Sequence, residues 1–188
     1  MNEFSTYEFA VRQRIEGKWR LARVCLITFY VLYVIALLAL GFTAKIIVPL
    51  LALIPVTTWI LVFITWRFVS VEYEYSITLG ELTFSKIFGG RSRRTYLTIR
   101  LRDAVRIAPL DNAEHSERAA AYRPEHEFSA ISSLRAPDIY YILFEYEEKD
   151  GKKLKKRRSI FYFEATAKAL QICRFYNPSA TVITPTQR

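Results

Sequence analysis

Cysteine and histidine are scarce in this sequence of 188 residues. There are two cysteines, Cys25 and Cys173, and two histidines, His115 and His126. Two cysteines this far apart exclude a disulfide framework, and we expect both to be buried free thiols in a reducing compartment. The histidines lie in a polar segment at a spacing that does not supply the convergent ligands of a metal site. We therefore expect solvated loop histidines, no metal and no cofactor.

Charge is nearly missing from residues 24–66, where Lys45 is the single charged side chain. Residues 24–43 and 46–66 are uninterrupted apolar runs, and a helix of about 20 apolar residues crosses the hydrocarbon layer of a bilayer. Only two residues separate the runs, so the sequence predicts an antiparallel pair of membrane-spanning helices. A cleaved signal peptide fits poorly, because the second run follows the first directly.

Basic residues are concentrated at the outer ends of these runs. Lys45 alone lies in the turn between them, and Arg67 follows the second run. Five basic residues precede the first run: Arg12, Arg14, Lys18, Arg20 and Arg23. The positive-inside rule then places both termini in the cytoplasm, and we expect a multi-pass protein of the plasma membrane. The net charge of +9 suits an anionic membrane surface.

The segment before the first run, residues 1–23, has an amphipathic pattern that predicts an interfacial helix over residues 4–22. The apolar positions of that helix are Phe4, Tyr7, Val11, Ile15, Trp19 and Ala22. Two interpretations remain open. The segment is either a plain anchor that extends the first span or a sensor of the lipid surface.

After Arg67 the hydrophobic pattern changes to the period of two that is typical of half-buried strands. The pattern predicts strands over residues 71–78, around Leu82 and Phe84, over residues 96–101 and around Val105 and Ile107. Residues 110–138 form a long polar excursion with a short helix near residues 116–122, and such loops are functional or disordered. Two further strands flank Asp150-Gly151, which is typical of a two-residue turn. An amphipathic helix over residues 165–176 ends the domain.

About six strands followed by one helix is the order of a pleckstrin-homology-like (PH-like) barrel. The predicted fold class is therefore an α+β membrane protein. An antiparallel transmembrane helical hairpin, residues 24–66, precedes a PH-like β-barrel or sheet domain with a C-terminal helix, residues 68–188. A domain of this length supplies its own core, so we expect it to fold without the hairpin.

Four stretches, VEYEYSITLGELTFSKIFGGRSRR, IAPLDN, FSAISS and RFYNPSATVI, carry a resemblance to a known group of proteins. They resemble a family of uncharacterised Gram-positive bacterial membrane proteins that have two spans followed by such a domain. The chain departs from that pattern because its last helix lacks an acidic first turn. The resemblance implies the architecture and implies no activity, ligand or catalytic residue.

The most basic stretch follows the predicted Asp150-Gly151 turn. It contains Lys152, Lys153, Lys155, Lys156, Arg157 and Arg158. With that turn, Glu148 faces Lys153 and Glu145 faces Lys156, so the stretch completes a cross-strand charge ladder. The alternative is a contact surface for anionic lipid headgroups or an acidic partner, where each charge contributes about 1 kcal/mol.

Other residues that resemble functional groups fit no motif. Nucleic-acid binding by the arginines between Arg91 and Arg106 would need interleaved exposed aromatics, and the aromatics alternate into the predicted core, so no nucleic acid is expected. Ser129, Ser132 and Ser133 lie near His126 without a nucleophile elbow or an orienting third group. The glycines match no phosphate-binding pattern.

The sequence therefore favours a membrane-anchored, non-enzymatic interaction or scaffold module at the cytoplasmic face. Its protein partner, which the sequence does not identify, would dock on the sheet edges or on residues 110–138. The alternatives are a sensor of anionic lipid that acts through residues 152–158 and an enzyme of unknown class. The oligomeric state stays open, since no Gly-xxx-Gly pair marks a helix interface.

The charge distribution predicts the membrane topology. A membrane-impermeant thiol reagent applied to intact cells should label a cysteine placed at Lys45 and should not label one placed at Ser5 or Thr186, because both termini are cytoplasmic. Permeabilised cells, in which all three positions should react, are the control. Labelling of either terminal cysteine in intact cells would contradict the assignment.

Overall fold

A computed structural model describes the backbone of residues 6–111, 113–133, 135–150 and 153–184, and the side chains of all of these except 147–150 and 153–155. The elements are β1 (Thr6–Arg12), α1 (Gly17–Thr43), α2 (Ile47–Thr65), β2 (Val71–Thr78), β3 (Glu81–Phe88), β4 (Ser92–Arg100), β5 (Ala104–Pro109), α3 (Ala113–Ala121), β6 (His126–Ala130), β7 (Ile139–Asp150), β8 (Lys153–Glu164) and α4 (Ala167–Tyr176). Short 3-10 turns follow α2, at Trp66–Phe68, and β4, at Leu101–Asp103.

The chain forms two compact units. The hairpin unit contains Arg14–Val71, which includes α1 and α2, together with the β3–β4 turn at Phe88–Ser92. The sheet unit contains β1 and the remainder of the chain from β2 onward.

The two apolar helices of the hairpin unit confirm the sequence prediction of two long apolar segments. Both are long and apolar enough to cross a membrane. At the turn, Lys45 takes a positive φ of 57°, and a Cβ at Gly41 would lie 2.9 Å from Cδ1 of Ile47. Gly41 therefore allows the start of α2 to lie close against α1. At the other end, the hydroxyls of Tyr30 and Thr65 form a 2.5 Å hydrogen bond between the two helices.

The strand β1 was not predicted. The amphipathic helix proposed for residues 4–22 is wrong over Thr6–Arg12, and α1 begins only at Gly17. β1 pairs antiparallel with β2, from Thr6 opposite Thr78 to Arg12 opposite Glu72. The apolar residues of this segment also fit the period of two of a strand, and hydrogen bonding to β2 stabilises the strand over the helix. Val11 is buried, and Tyr7 and Phe9 pack against the core.

Two four-stranded sheets form the main core. Their strand orders are β1-β2-β3-β4 and β5-β7-β8-β6. The inner faces contribute Tyr75, Phe84, Ile142 and Phe161 to one cluster that also contains the buried face of α4. The predicted sheet domain with a C-terminal helix is confirmed, but the sheets do not join into a closed barrel through any strand pairing among the described residues.

The excursion at residues 110–138 contains two regular elements. The predicted short helix is α3, which places Ala119 on the outer face of the second sheet beside Tyr141 and Leu143. The strand β6 was missed, and it pairs parallel with β8, from His126 opposite Ser159 to Ala130 opposite Phe163. The excursion therefore builds a second, smaller core and one sheet edge.

The C-terminal helix α4 closes the core as predicted. Thr166 caps its first turn by accepting a hydrogen bond from the N–H of Ala169. Behind the helix, the buried side chain of Asn177 donates to the carbonyls of Leu101 and Ala104 at 3.0 and 2.9 Å. Asn177 thereby ties the end of α4 to the corner between β4 and β5.

The register of β1 gives a test of the sheet unit. Because Arg12 lies opposite Glu72, a two-residue Asn-Gly turn can replace residues 13–71 and join the strands as a hairpin. We expect that chain to be soluble and more stable by about 3 kcal/mol than residues 68–188 alone, since three half-buried or buried side chains of β1 contribute roughly 1 kcal/mol each.

Urea unfolding followed by circular dichroism compares the two chains. The matched control has the same turn with Phe9→Ser, which removes one aromatic side chain from the core and should lose part of the gain. Equal stability of the two chains would mean that β1 contributes nothing to the domain.

Candidate functional site

The end of α2 is held against the β3–β4 turn within the hairpin unit. The N–H of Gly89 donates to the carbonyl of Ser70 at 2.7 Å. Gly89 has a φ of +59°, and a Cβ there would lie 2.9 Å from Cβ of Arg67. Glycine is required at this position for both reasons, because the conformation is left-handed and the approach is close.

An open cleft of about 430 Å³ lies between the end of α2 and this turn. We call it the α2 cleft. Its lining includes Trp59, Phe63, Trp66, Arg67, Arg91 and Ser92. The end of α2 and the 3-10 turn after it contribute the aromatic residues and Arg67, and the β3–β4 turn contributes Arg91 and Ser92.

The arginines of this region stack on aromatic rings. The guanidinium of Arg91 lies 4.0 Å from the ring centre of Phe63, and that of Arg67 lies 4.8 Å from the ring centre of Phe68. Glu16 is the only acidic residue in the hairpin unit. The α2 cleft is consequently basic, with no carboxylate in its lining.

The strand β4 forms a second basic feature, at the edge of the first sheet. Among the described strands, β3 alone pairs with it in that sheet, and residues 92–96 are all exposed. Arg93 forms a 2.6 Å ion pair with the buried carboxylate of Glu74, and Arg100 pairs with Glu81 at 3.5 Å. Arg94 stacks on Tyr96 instead.

Lys86 points into a group of three aromatic rings in the sheet unit. Its amine lies 4.8 Å from the ring centre of Tyr96, 5.7 Å from that of Tyr73 and 5.9 Å from that of Phe84. Burial lowers the pKa of Lys86 and raises that of Tyr73, since a low-dielectric site disfavours the charged form of each. Lys86 therefore loses its proton more easily than in water, and Tyr73 holds its proton more firmly. The neutral form of each group is favoured, which fits packing in a mostly apolar cluster.

The basic stretch after β7 lies partly outside the described residues. Lys152 is outside them, and the side chains of Lys153 and Lys155 are not described. In the part that is described, Lys156 and Arg158 are exposed and Arg157 forms an ion pair with Glu125.

The predicted register of this hairpin is wrong by two residues. Lys153 lies opposite Asp150 and not Glu148, and Lys156 lies opposite Glu147 and not Glu145. Glu145 instead lies opposite Arg158. The error came from placing the turn at Asp150-Gly151, although Asp150 is the last residue of β7. Acidic and basic positions still face each other across the strands, which is the arrangement of a charge ladder.

The histidines and serines do not converge on a reactive site. His115 is buried on α3, with Nδ1 3.4 Å from a guanidinium nitrogen of Arg106, so it is not the solvated loop residue that was expected. His126 lies on β6 against the ring of Tyr146. The N–H of Ser132 donates to the buried carboxylate of Glu164 at 2.6 Å, which fixes the loop after β6. Within the described ranges, no group of three His, Cys, Asp or Glu residues is placed to hold a metal ion.

The two cysteines differ in exposure. Cys173 is buried on α4, and burial raises the pKa of its thiol to about 12, so it stays protonated and unreactive at neutral pH. Cys25 is exposed on α1, contrary to the expectation of a buried thiol. Tyr30 and Gly41 are the buried residues of that helix, and most of its other side chains are exposed or half-buried. Both are free.

Sequence reasoning missed the α2 cleft. Its signals were present separately, as Arg67 after the second apolar run, as the turn at Gly89-Gly90 and as the basic group that begins with Arg91. Only the packing of the turn against the end of α2 brings Arg67 and Arg91 to one cavity.

Comparison with known proteins identifies the family of the chain. A family model described as a bacterial PH-like domain covers residues 4–182, which includes β1, both apolar helices and α4. No curated protein and no solved structure matches the chain. The Gram-positive origin implied by the sequence resemblance stays a prediction.

Proposed function

The chain belongs to the bacterial PH-like domain family DUF6106, and from that premise we propose that it is a membrane-anchored, non-enzymatic docking module. In this proposal α1 and α2 cross the plasma membrane, and the sheet unit binds a segment of a protein partner in the cytoplasm. The observation that carries the proposal is the open, arginine-bearing edge of β4.

The pairing of β1 with β2 supports the anchoring arrangement. β1 precedes α1, and β2 follows α2, yet the two strands are neighbours in one sheet. An even number of spans between them is needed for both strands to lie on the same side of the membrane. Two spans satisfy that condition, and the basic residues before α1 favour the cytoplasmic side.

The edge of β4 has the features of a strand-addition surface. It is nine residues long, and its outer backbone groups have no strand partner among the described residues. An extended peptide can pair with such an edge and gain main-chain hydrogen bonds. Soluble proteins often protect long edges with charged side chains, which oppose pairing between like copies and permit pairing with a segment of opposite charge.

The charges on the edge indicate the chemistry of the partner. Residues 91–102 contain five arginines and no acidic residue. Glu74 and Glu81 neutralise Arg93 and Arg100, whereas Arg94 and Arg102 have no carboxylate partner in the described part of the chain. The edge therefore has an excess of positive charge, and it fits an extended segment rich in Asp and Glu.

Photo-crosslinking in native membranes tests the proposal. A photoreactive residue in place of Thr95, in the exposed part of β4, should give one stoichiometric crosslink in the full-length chain. The crosslinked segment of the partner, mapped by mass spectrometry, should be extended and acidic. Arg94→Glu with Arg102→Glu should reduce the yield at least about tenfold, since each reversed charge repels the acidic segment.

The matched control reverses two exposed basic residues elsewhere in the sheet unit, Lys156→Glu and Arg158→Glu, and should leave the crosslink unchanged. A crosslink that maps to a basic or helical segment, or one that survives reversal of Arg94 and Arg102, would contradict docking on this edge.

A second candidate function is a sensor of anionic lipid that acts through residues 152–158. It is favoured by the exposure of Lys156 and Arg158, and opposed by the acidic positions across the hairpin and by the ion pair of Arg157. Binding to anionic vesicles that depends on Lys156 and Arg158, without any protein crosslink at β4, would support this candidate over docking.

A further inference from the structure

We infer that the α2 cleft binds an anionic phospholipid. Arg67 and Arg91 contact the phosphate, and one acyl chain lies along the aromatic wall that Trp59 and Phe63 form. The inference does not depend on protein docking at the β4 edge.

The first argument is the way the two arginines meet. A basic residue directly after a span, such as Arg67, is ordinary and serves orientation. Arg91 comes from the β3–β4 turn, and it reaches the same cavity because Gly89 lies against Arg67. Two guanidinium groups in one cleft with no carboxylate in the lining match a phosphate, which accepts paired hydrogen bonds from arginine.

The second argument is the apolar wall. The side chain of Trp59 is 64% exposed and that of Phe63 is 47% exposed, and both continue the apolar surface of α2. When α2 spans the bilayer, its C-terminal end lies at the membrane–water interface, where tryptophan is enriched. A ligand that contacts both the two arginines and the apolar wall must have an anionic head and an apolar tail. A free phosphate or an acidic peptide would contact only the arginines.

Native mass spectrometry of the full-length protein in mild detergent tests the inference. The probes are phosphatidylglycerol and phosphatidylcholine with identical acyl chains. We expect the unmodified protein to bind phosphatidylglycerol more tightly. Arg67→Gln with Arg91→Gln should weaken that binding about thirtyfold, at roughly fivefold for each charge, and leave phosphatidylcholine binding unchanged.

The matched control removes the same charge from β4 and its end, by Arg94→Gln with Arg102→Gln, and should change lipid binding less than about twofold. Thermal unfolding establishes that each variant is folded. Arg67→Lys with Arg91→Lys keeps the charge and loses the paired hydrogen bonds, so it should restore part of the affinity.

Two measurements need no variant. Equal affinity of the unmodified protein for the two lipids would overturn the inference. Displacement of phosphatidylglycerol by millimolar glycerol phosphate would also overturn it, because the cleft would then recognise a free phosphate without help from the apolar wall.

The control variant gives one further outcome. If Arg94→Gln with Arg102→Gln weakens lipid binding as much as the change at Arg67 and Arg91, the effect is due to net charge and the inference is overturned.

Discussion

The antiparallel pairing of β1 with β2 is the constraint on which the rest of the structure depends. It places the residues before the apolar hairpin and the residues after it in one sheet, from Thr6 opposite Thr78 to Arg12 opposite Glu72. The helical hairpin is thus an insertion in a β-hairpin of the domain. Under the proposed membrane anchoring, a single span at this point would separate the two strands by the bilayer, so the pairing agrees with two apolar helices.

The same constraint shapes the core. Phe9 of β1 lies 5.6 Å from the ring centre of Tyr75, which contacts Phe163 of the second sheet at 5.4 Å. The hydroxyl of Tyr75 donates to the carbonyl of Glu164, and Tyr7 bonds to the Thr166 hydroxyl that caps α4. β1 is therefore linked to both sheets and to the final helix. Removing it would expose the side of Tyr75 that faces the first strand.

Local patterns in the sequence predicted most of the secondary structure. The apolar runs, the alternation over residues 71–78 and the amphipathic stretch at α4 each follow from burial of one face, and each is present. β1 was missed because Tyr7 and Val11 fit a helical period as well as a strand period, and the choice depends on a partner far along the chain. β6 was missed for the same reason, since it is short and pairs with β8 across a long separation.

The candidate functional site was harder to predict than the fold, because it forms where residues that are far apart in the sequence come together. The sequence drew attention to residues 152–158, where basic side chains are consecutive. In the structure four of these positions, 153, 155, 156 and 158, face acidic ones across the hairpin. Arg67 and Arg91, in contrast, meet at a cleft without a carboxylate in its lining. A dense run of charge is often neutralised by its neighbours. Two separate arginines that share a cavity keep their positive charge there when no carboxylate lines it.

Crosslinking of β1 to β2 tests the central claim most directly. Glu8 and Ser76 lie opposite each other, so cysteines at these positions in a Cys25→Ser background should form a disulfide readily in native membranes. Cysteines at Glu8 and Glu72, which are out of register by four residues, should not. A disulfide in the first pair alone is the predicted result. Its absence in the first pair, or equal formation in both, would contradict a domain built around an inserted membrane hairpin.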